Sequence, residues 1–238
     1  MMPLRVPTAV LVLLLGGCSR CDGGSGQPAP PPPNHDDQLP PDGERLLGFD
    51  GIDVTIGEVR PFVEFWRRIY PHWSLRATIC KVLDSYLLPL RLAQREFPQQ
   101  RAEQLQRATS LHAVASNSAE LAAQCKLQGE LLTAYHSDVT VNKVETPVAL
   151  FLFDRSRLGA TSEPIELPQG YLIAAAVKLH EGGVVGDDYI EALQVVFYTH
   201  QKRPFQQWLQ DAKTKVAGKV TFVHPDFRTA VPEWLKLP

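Results

Sequence analysis

The sequence predicts an α+β chain, mainly helical, that carries a small antiparallel sheet with helices laid against it. Three observations predict it. Apolar residues recur at helical spacing over residues 59–70 and 75–90. Two glycine-punctuated apolar stretches follow one another between Gly159 and Leu179. Helical spacing returns beyond Tyr189 and is followed by the strand-like Val220-Thr221-Phe222-Val223. The 238 residues are 44% hydrophobic and 21% charged, which excludes disorder of the whole chain and a multi-span membrane protein. A formal net charge of −2 supplies no global field for nucleic acid or anionic lipid, and no nucleic-acid partner is expected.

Residues 1–17 read as an export signal. Arg5 precedes the apolar run Val10–Leu15, which is well short of the roughly 20 residues that span a bilayer. Leu15-Gly16-Gly17-Cys18 resembles the bacterial lipobox. That resemblance implies cleavage before Cys18 and lipidation of its thiol. Each buried CH₂ contributes about 0.8 kcal/mol, so two or three acyl chains anchor a protein firmly in a membrane. The plain reading of the same residues is a secretory peptide with an incidental cysteine. Ser19 rather than an aspartate follows Cys18. In a host with two membranes, the family's sorting pattern then implies the outer membrane, facing the periplasm. Cys18 and Cys21 form a C-x-x-C, but no second such pair and no βαβ context accompany it. Cys80 and Cys125 are the remaining thiols; an oxidising compartment permits a disulfide between them, and two separate buried thiols fit the sequence equally well.

Residues 18–45 read as a spacer. Gly23, Gly24, Gly26, Pro30–Pro33, Pro40 and Pro41 leave too little apolar surface to offset ordering entropy. An extended spacer rises about 3 Å per residue.

A helical module is expected from residue 46. Asp50-Gly51 between short apolar stretches signals a tight hairpin. Thr55-x-x-Glu58 reads as a capping box, followed by Val59, Phe62, Val63, Trp66, Ile69 and Tyr70 on one helical face. Pro61 falls early in that helix, where a kink is expected, and Pro71 ends it. Ser74 caps a second helix carrying Leu75, Ile79, Val82, Leu83, Tyr86, Leu87 and Leu90, interrupted late by Pro89. Pro98 opens a third, with Ala102, Leu105 and Ala108 on one side. Ser118 caps a fourth that runs through Leu121, Cys125 and Leu132. The hairpin, the Thr-x-x-Glu start and the arginine-flecked Leu87–Ala93 resemble the N-terminal helical domain of SurA-type periplasmic chaperones over roughly residues 47–97.

Thr146-Pro147 opens a short helix to Phe153. Gly159-x-x-Ser162-x-Pro164-Ile165, four residues, then Gly170-Tyr171-Leu172-Ile173 make an antiparallel strand pair with that helix against it. The stretch resembles the C-terminal half of a parvulin prolyl isomerase domain. Its spacing is kept throughout, although the same glycines suit any pair of hairpins. The departures matter more. The family's histidine falls on Leu172, which has no ring N–H, and the Gly-Gly-x-Leu-Gly stretch is absent. The barrier to X-Pro rotation is about 18–20 kcal/mol. A lobe without the imidazole is expected to lower it weakly or not at all. The resemblance leaves an apolar peptide groove, with Val148, Phe151, Tyr171 and Leu172 as candidates.

The tail reads as two helices, one with Tyr189, Leu193, Val196 and Phe197 and one with Phe205, Trp208, Leu209 and Ala212, followed by the strand 220–223. In the SurA-type arrangement a C-terminal helix and strand complete the N-terminal domain. The resemblance then divides the chain into a helical domain of residues 46–110 plus 186–238 and a degenerate parvulin-like domain, 111–185, inserted in it. A separate small helical cap is the alternative.

The seven histidines form no His-x-x-x-His pair, and no nucleophile elbow or phosphate loop is present, so no metal or cofactor is expected. Arg60, Arg67, Arg68, Arg76, Arg91, Arg95, Arg101 and Arg107 read as a solvated basic face. The expected function is capture of unfolded or extended polypeptides by a lipid-anchored, ATP-independent chaperone. Phe62, Trp66 and Tyr86 are the candidate client contacts, although aromatics at helical spacing are more often core. A divergent prolyl isomerase and a structural envelope lipoprotein are the alternatives.

Overall fold

A computed structural model describes residues 38–127, 132–182, 187–199 and 205–236. The export signal, Cys18 and most of the spacer lie outside these residues. The fold is α+β with two small antiparallel sheets. Among the described residues no helix is long and apolar enough to cross a membrane.

Strands β1 (Arg45–Phe49) and β2 (Ile52–Thr55) form the expected hairpin. Its turn holds Asp50 at φ 46° and Gly51 at φ 79°, the left-handed region that aspartate and glycine tolerate. Arg95 and Lys219 flank the Asp50 carboxylate at 2.8 and 3.2 Å and hold its pKa below the usual aspartate range. Helix α1 (Ile56–Ile69) begins at Thr55, whose amide and hydroxyl both donate to Glu58, at 2.8 and 2.9 Å. It continues as one helix through Pro61. The spacer ends earlier than residue 45. The Gly57 amide donates to the carbonyl of Asp42, Arg60 pairs with the Asp42 carboxylate, and Leu39 packs on the core.

Ser74 caps α2 (Leu75–Val82) by accepting from the Ala77 amide at 3.2 Å. A π-helical turn, Leu83–Leu87, leads into α3 (Leu88–Glu96). Pro89 has no N–H for the residue-85 carbonyl and its ring crowds that group, so the turn ahead of it widens. Helix α4 (Pro98–His112) follows, then α5 (Ser118–Leu127). Asn117 rather than Ser118 caps α5, accepting from the amides of Ala119 and Glu120. Leu132, which the expected helix included, instead opens strand β3 (Leu132–Thr140).

After β3 come α6 (Thr146–Leu152), β4 (Ile165–Leu167), β5 (Gly170–His180) and β6 (Tyr189–Tyr198). Gly170, at φ 150°, is required where it stands: a Cβ there would lie 2.0 Å from the Phe197 carbonyl oxygen. The helix expected over Tyr189–Phe197 is instead strand β6, and the four-stranded sheet extends past residue 185, in the order β3-β6-β5-β4. As a central strand, β6 buries Ile190 and Ala192 on one face and Val195 and Phe197 on the other. Burial on both faces erases the polar-apolar alternation by which a strand is recognised. Helix α7 (Phe205–Val216), β7 (Val220–Val223) and α8 (Glu233–Lys236) finish the chain. Strand β7 pairs with β1, so the first and last strands share one sheet, ordered β2-β1-β7.

Two lobes result. The helical lobe packs β1, α1–α3, α7 and the C-terminal residues around one core that includes Phe49, Phe65, Trp66 and Leu88. The sheet lobe carries α6 on one face, with Val148, Leu152, Leu172 and Ala174 between, and α4 and α5 on the other, with Leu111, Leu121, Ile173 and Val195 between.

Candidate functional site

The residues named from the sequence fall into three places. Val148, Phe151 and Leu172 meet in a single cluster between α6 and β5. That cluster is interior: Val148 is 0% and Leu172 2% exposed. Tyr171 points to the opposite face, because successive strand residues alternate. None of the four lines an open groove; Val148, Phe151 and Leu172 close the interior against which α6 is seated, and Tyr171 lies on the face covered by α4 and α5. Leu172 brings no hydrogen-bonding group to the position where the parvulin pattern has its histidine.

Trp66 is sealed in the helical core, its indole N–H donating to Thr146 Oγ1 at 3.1 Å. It stacks on Tyr70 and Trp73, with Lys81 Nζ 4.7 Å from its ring centre. Trp66 is a core residue rather than a client contact. Phe62 is half-buried and meets the edge of Tyr86, ring centres 5.0 Å apart. No disulfide joins Cys80 to Cys125. Cys80 belongs to α2 in the helical lobe, whereas Cys125, on α5, packs on the sheet.

Tyr86 leads to the most concentrated chemistry in the described chain, the seam between α3–α4 and the β4–β5 hairpin. Arg101 reads as part of a solvated face in the sequence, yet it is only 3% exposed. Its guanidinium donates to the carbonyls of Pro168 at 3.0 Å and Leu167 at 2.9 Å and pairs with Glu166 Oε1 at 2.9 Å. Its carbon centre sits 5.3 Å from the Tyr171 ring centre. Gln94 Nε2 and the Tyr171 hydroxyl, each at 3.1 Å, also donate to Glu166 Oε1. The Tyr86 hydroxyl donates to the Glu166 carbonyl at 3.2 Å. Burial, then the nearby Glu166 carboxylate, pushes the Tyr86 hydroxyl well above the usual tyrosine range, and the same two causes raise Tyr171. The seam therefore holds its protons and donates them only as hydrogen bonds.

The sequence carried one faint sign of this role. Arg101 stands seven residues before Ala108 and ten before Leu111, the other buried positions of α4, so it shares their face. The expected stripe, Ala102–Leu105–Ala108, is rotated from the true one, and Leu105 is 40% exposed.

At the end of β5 and β6 opposite Gly170, Glu191 accepts from the Tyr135 hydroxyl and lies 2.8 Å from His180 Nε2, while His180 stacks on Tyr189. Both partners hold Glu191 below the usual carboxylate range, Tyr135 most. A cavity of about 80 Å³ at the end of α6, lined by Leu152, Phe153, Leu158 and Leu179, is smaller than the roughly 300 Å³ that organic ligands occupy. Among the described residues no group of three or more His, Cys, Asp or Glu is placed to hold a metal ion. Comparison of the chain with protein-family models, with curated proteins and with solved structures gives no match.

Proposed function

We propose that this chain is a lipid-anchored envelope protein of chaperone type that captures unfolded or extended polypeptide segments, and that its parvulin-like lobe does not catalyse prolyl isomerisation. One observation supports the reading above the rest: Leu172, at the family's histidine position, is sealed among Val148, Leu152 and Ala174. A prolyl isomerase must desolvate the X-Pro bond and surround it with positioned polar groups. An apolar interior offers no such groups and no room for a peptide. What the lobe retains is the framework, a short helix on an antiparallel sheet, and binding needs no proton relay.

The full chain, purified in detergent, tests the proposal. A prolyl-peptide assay is expected to give no turnover above the uncatalysed rate, while the same preparation slows aggregation of an unfolded polypeptide in substoichiometric to equimolar amounts. Turnover that vanishes on Leu172→Asp, with the fold retained by circular dichroism, would favour the isomerase instead. Cys18→Ser is expected to move the protein from the membrane fraction to the soluble fraction; continued membrane retention would remove the lipid anchor from the reading.

A further inference from the structure

We propose that the α1 face running from Gly57 to Arg68 is a docking track for this chain's own N-terminal segment, Pro30–Asp37, with Asp36 and Asp37 against Arg68 and the proline run against Tyr70 and Trp73. The docking is independent of the binding function proposed above; only its consequence for reach rests on the lipid anchor.

The first described residues set the direction. The Ile56 amide donates to the Glu44 carbonyl at 2.9 Å and the Gly57 amide to the Asp42 carbonyl at 3.0 Å. Farther along α1, Arg60 pairs with the Asp42 carboxylate and donates from Nη2 to the Pro40 carbonyl at 2.6 Å. Traced backward from Glu44, the chain therefore runs along α1 toward the C-terminal end of the helix, and at Leu39 it is still packed on the core. An extended chain advances about 3.1 Å per residue and a helix about 1.5 Å, so each further residue passes about two residues of α1. Counted from Asp42 beside Gly57, Asp37 and Asp36 reach the last turn of α1, and Pro33 reaches the turn that follows it.

The track suits that segment in charge and in surface. Gly57, Pro61, Glu64 and Arg68 stand at the i, i+4, i+7, i+11 spacing of one helix face, and Pro61, Glu64 and Arg68 are exposed. Arg68 lies 5.7 Å from the Phe65 ring centre, and no carboxylate pairs with it among the described residues. Glu64, the acidic residue of this face, has Arg60 at 3.7 Å. Asp36-Asp37 brings two negative charges to the arginine end of the helix. Past Arg68, the half-buried rings of Tyr70 and Trp73 stack with centres 4.6 Å apart, beside the exposed Pro71 and His72. Pro30–Pro33 favours the polyproline II helix, which folded proteins recognise with aromatic side chains.

Docking shortens the spacer. Residues 19–29 stay free, about 33 Å when extended, against about 57 Å for residues 19–37. A docked segment holds the folded body near the membrane, and release lets it reach farther.

Limited proteolysis of the full chain in detergent by a broad-specificity protease tests the docking. Cleavage within residues 34–38 is followed by mass spectrometry, and each rate is divided by that of a free peptide of the same sequence. In the wild type this cleavage is expected to be at least about fivefold slower than in the peptide, as two exposed ion pairs permit. Arg68→Ser, and separately the pair Asp36→Asn with Asp37→Asn, should bring it within about twofold of the peptide. High salt should act in the same direction, because exposed pairs are screened. Pro31→Ser with Pro32→Ser should halve the protection. Arg68→Asp combined with Asp36→Arg and Asp37→Arg should restore it. The spacer variants leave the folded body untouched, so their effect is not one of misfolding. Wild-type cleavage as fast as the peptide's, or protection unaltered by every variant, overturns the docking. Protection that grows with protein concentration assigns the track to a second copy's segment and overturns docking within one chain. Protection abolished by Cys18→Ser places the segment against the micelle and overturns it as well. No client enters these measurements, so the docking and the chaperone reading stand or fall separately.

Discussion

The two lobes meet at two junctions of opposite character. At α6 the junction is apolar: Ala149 packs into the helical core while Val148, Phe151 and Leu152 on the same helix pack into the sheet, with the Trp66–Thr146 hydrogen bond at its margin. At the β4–β5 hairpin it is polar: Tyr86 and Gln94 of the helical lobe bond to Glu166, which Arg101 on α4 also grips. An apolar junction derives its stability from area and tolerates small shifts. A polar junction gains little net stability when complete and loses much when one partner is removed, because the groups left behind are desolvated and unpaired. One junction holds the lobes together; the other fixes how they are held.

Mutation should separate them. Trp66→Ala removes the largest side chain beside the apolar junction and is expected to cost about 4 kcal/mol, read as a lower urea midpoint for the whole molecule. A loss confined to the sheet lobe would break the comparison. Arg101→Met should cost about 3 kcal/mol, since the Leu167 and Pro168 carbonyls lose their donor; the cost is tempered because Glu166 stays a third exposed. A cost below about 0.5 kcal/mol in the same titration would mean that water replaces the guanidinium freely. Tyr86→Phe keeps the ring against Phe62 and removes one neutral hydrogen bond, about 1 kcal/mol.

Alkali gives the smallest and most selective effect. The folded-state pKa of Tyr86 is raised above the ordinary value of 10.0, so its contribution is complete below pH 10 and is lost as pH rises through the folded value. The Trp66–Thr146 contact and the α6 side chains that join it do not titrate. The urea midpoint should therefore fall between pH 9.5 and about pH 11 by more in the wild type than in Tyr86→Phe, with Tyr135, Tyr171 and Tyr198, also raised, contributing to the fall that remains. Equal falls in the two proteins would show that the polar junction does not sense the hydroxyl.

The local features of the fold were legible in the residues. The Asp50-Gly51 turn, the Thr55–Glu58 helix start, the Ser74 cap and the short helix at Thr146-Pro147 depend on neighbours within four positions, and each forms where its signal stands. The polar seam was not legible. Arg101 and Glu166 are 65 residues apart, and beyond the helix face that Arg101 shares with Ala108 and Leu111 nothing near either one distinguishes it from a surface charge. Strand β6 was misread for a related reason: Tyr189, Leu193, Val196 and Phe197 fit a helical template because both faces of the strand are buried.

Sequence alone determined the Asp50-Gly51 turn, the Thr55 and Ser74 caps, most helix positions and the β4–β5 hairpin closed at Gly170, since backbone sterics and short-range hydrogen bonds act through adjacent residues. Tertiary structure alone decided which apolar side chains became interior, with Leu172 and Trp66 sealed and Phe62 at a margin, and which arginine left the surface. Burial is set by what packs against a residue from distant parts of the chain, and a charge enters the interior only where carbonyls and a carboxylate from another element arrive to meet it.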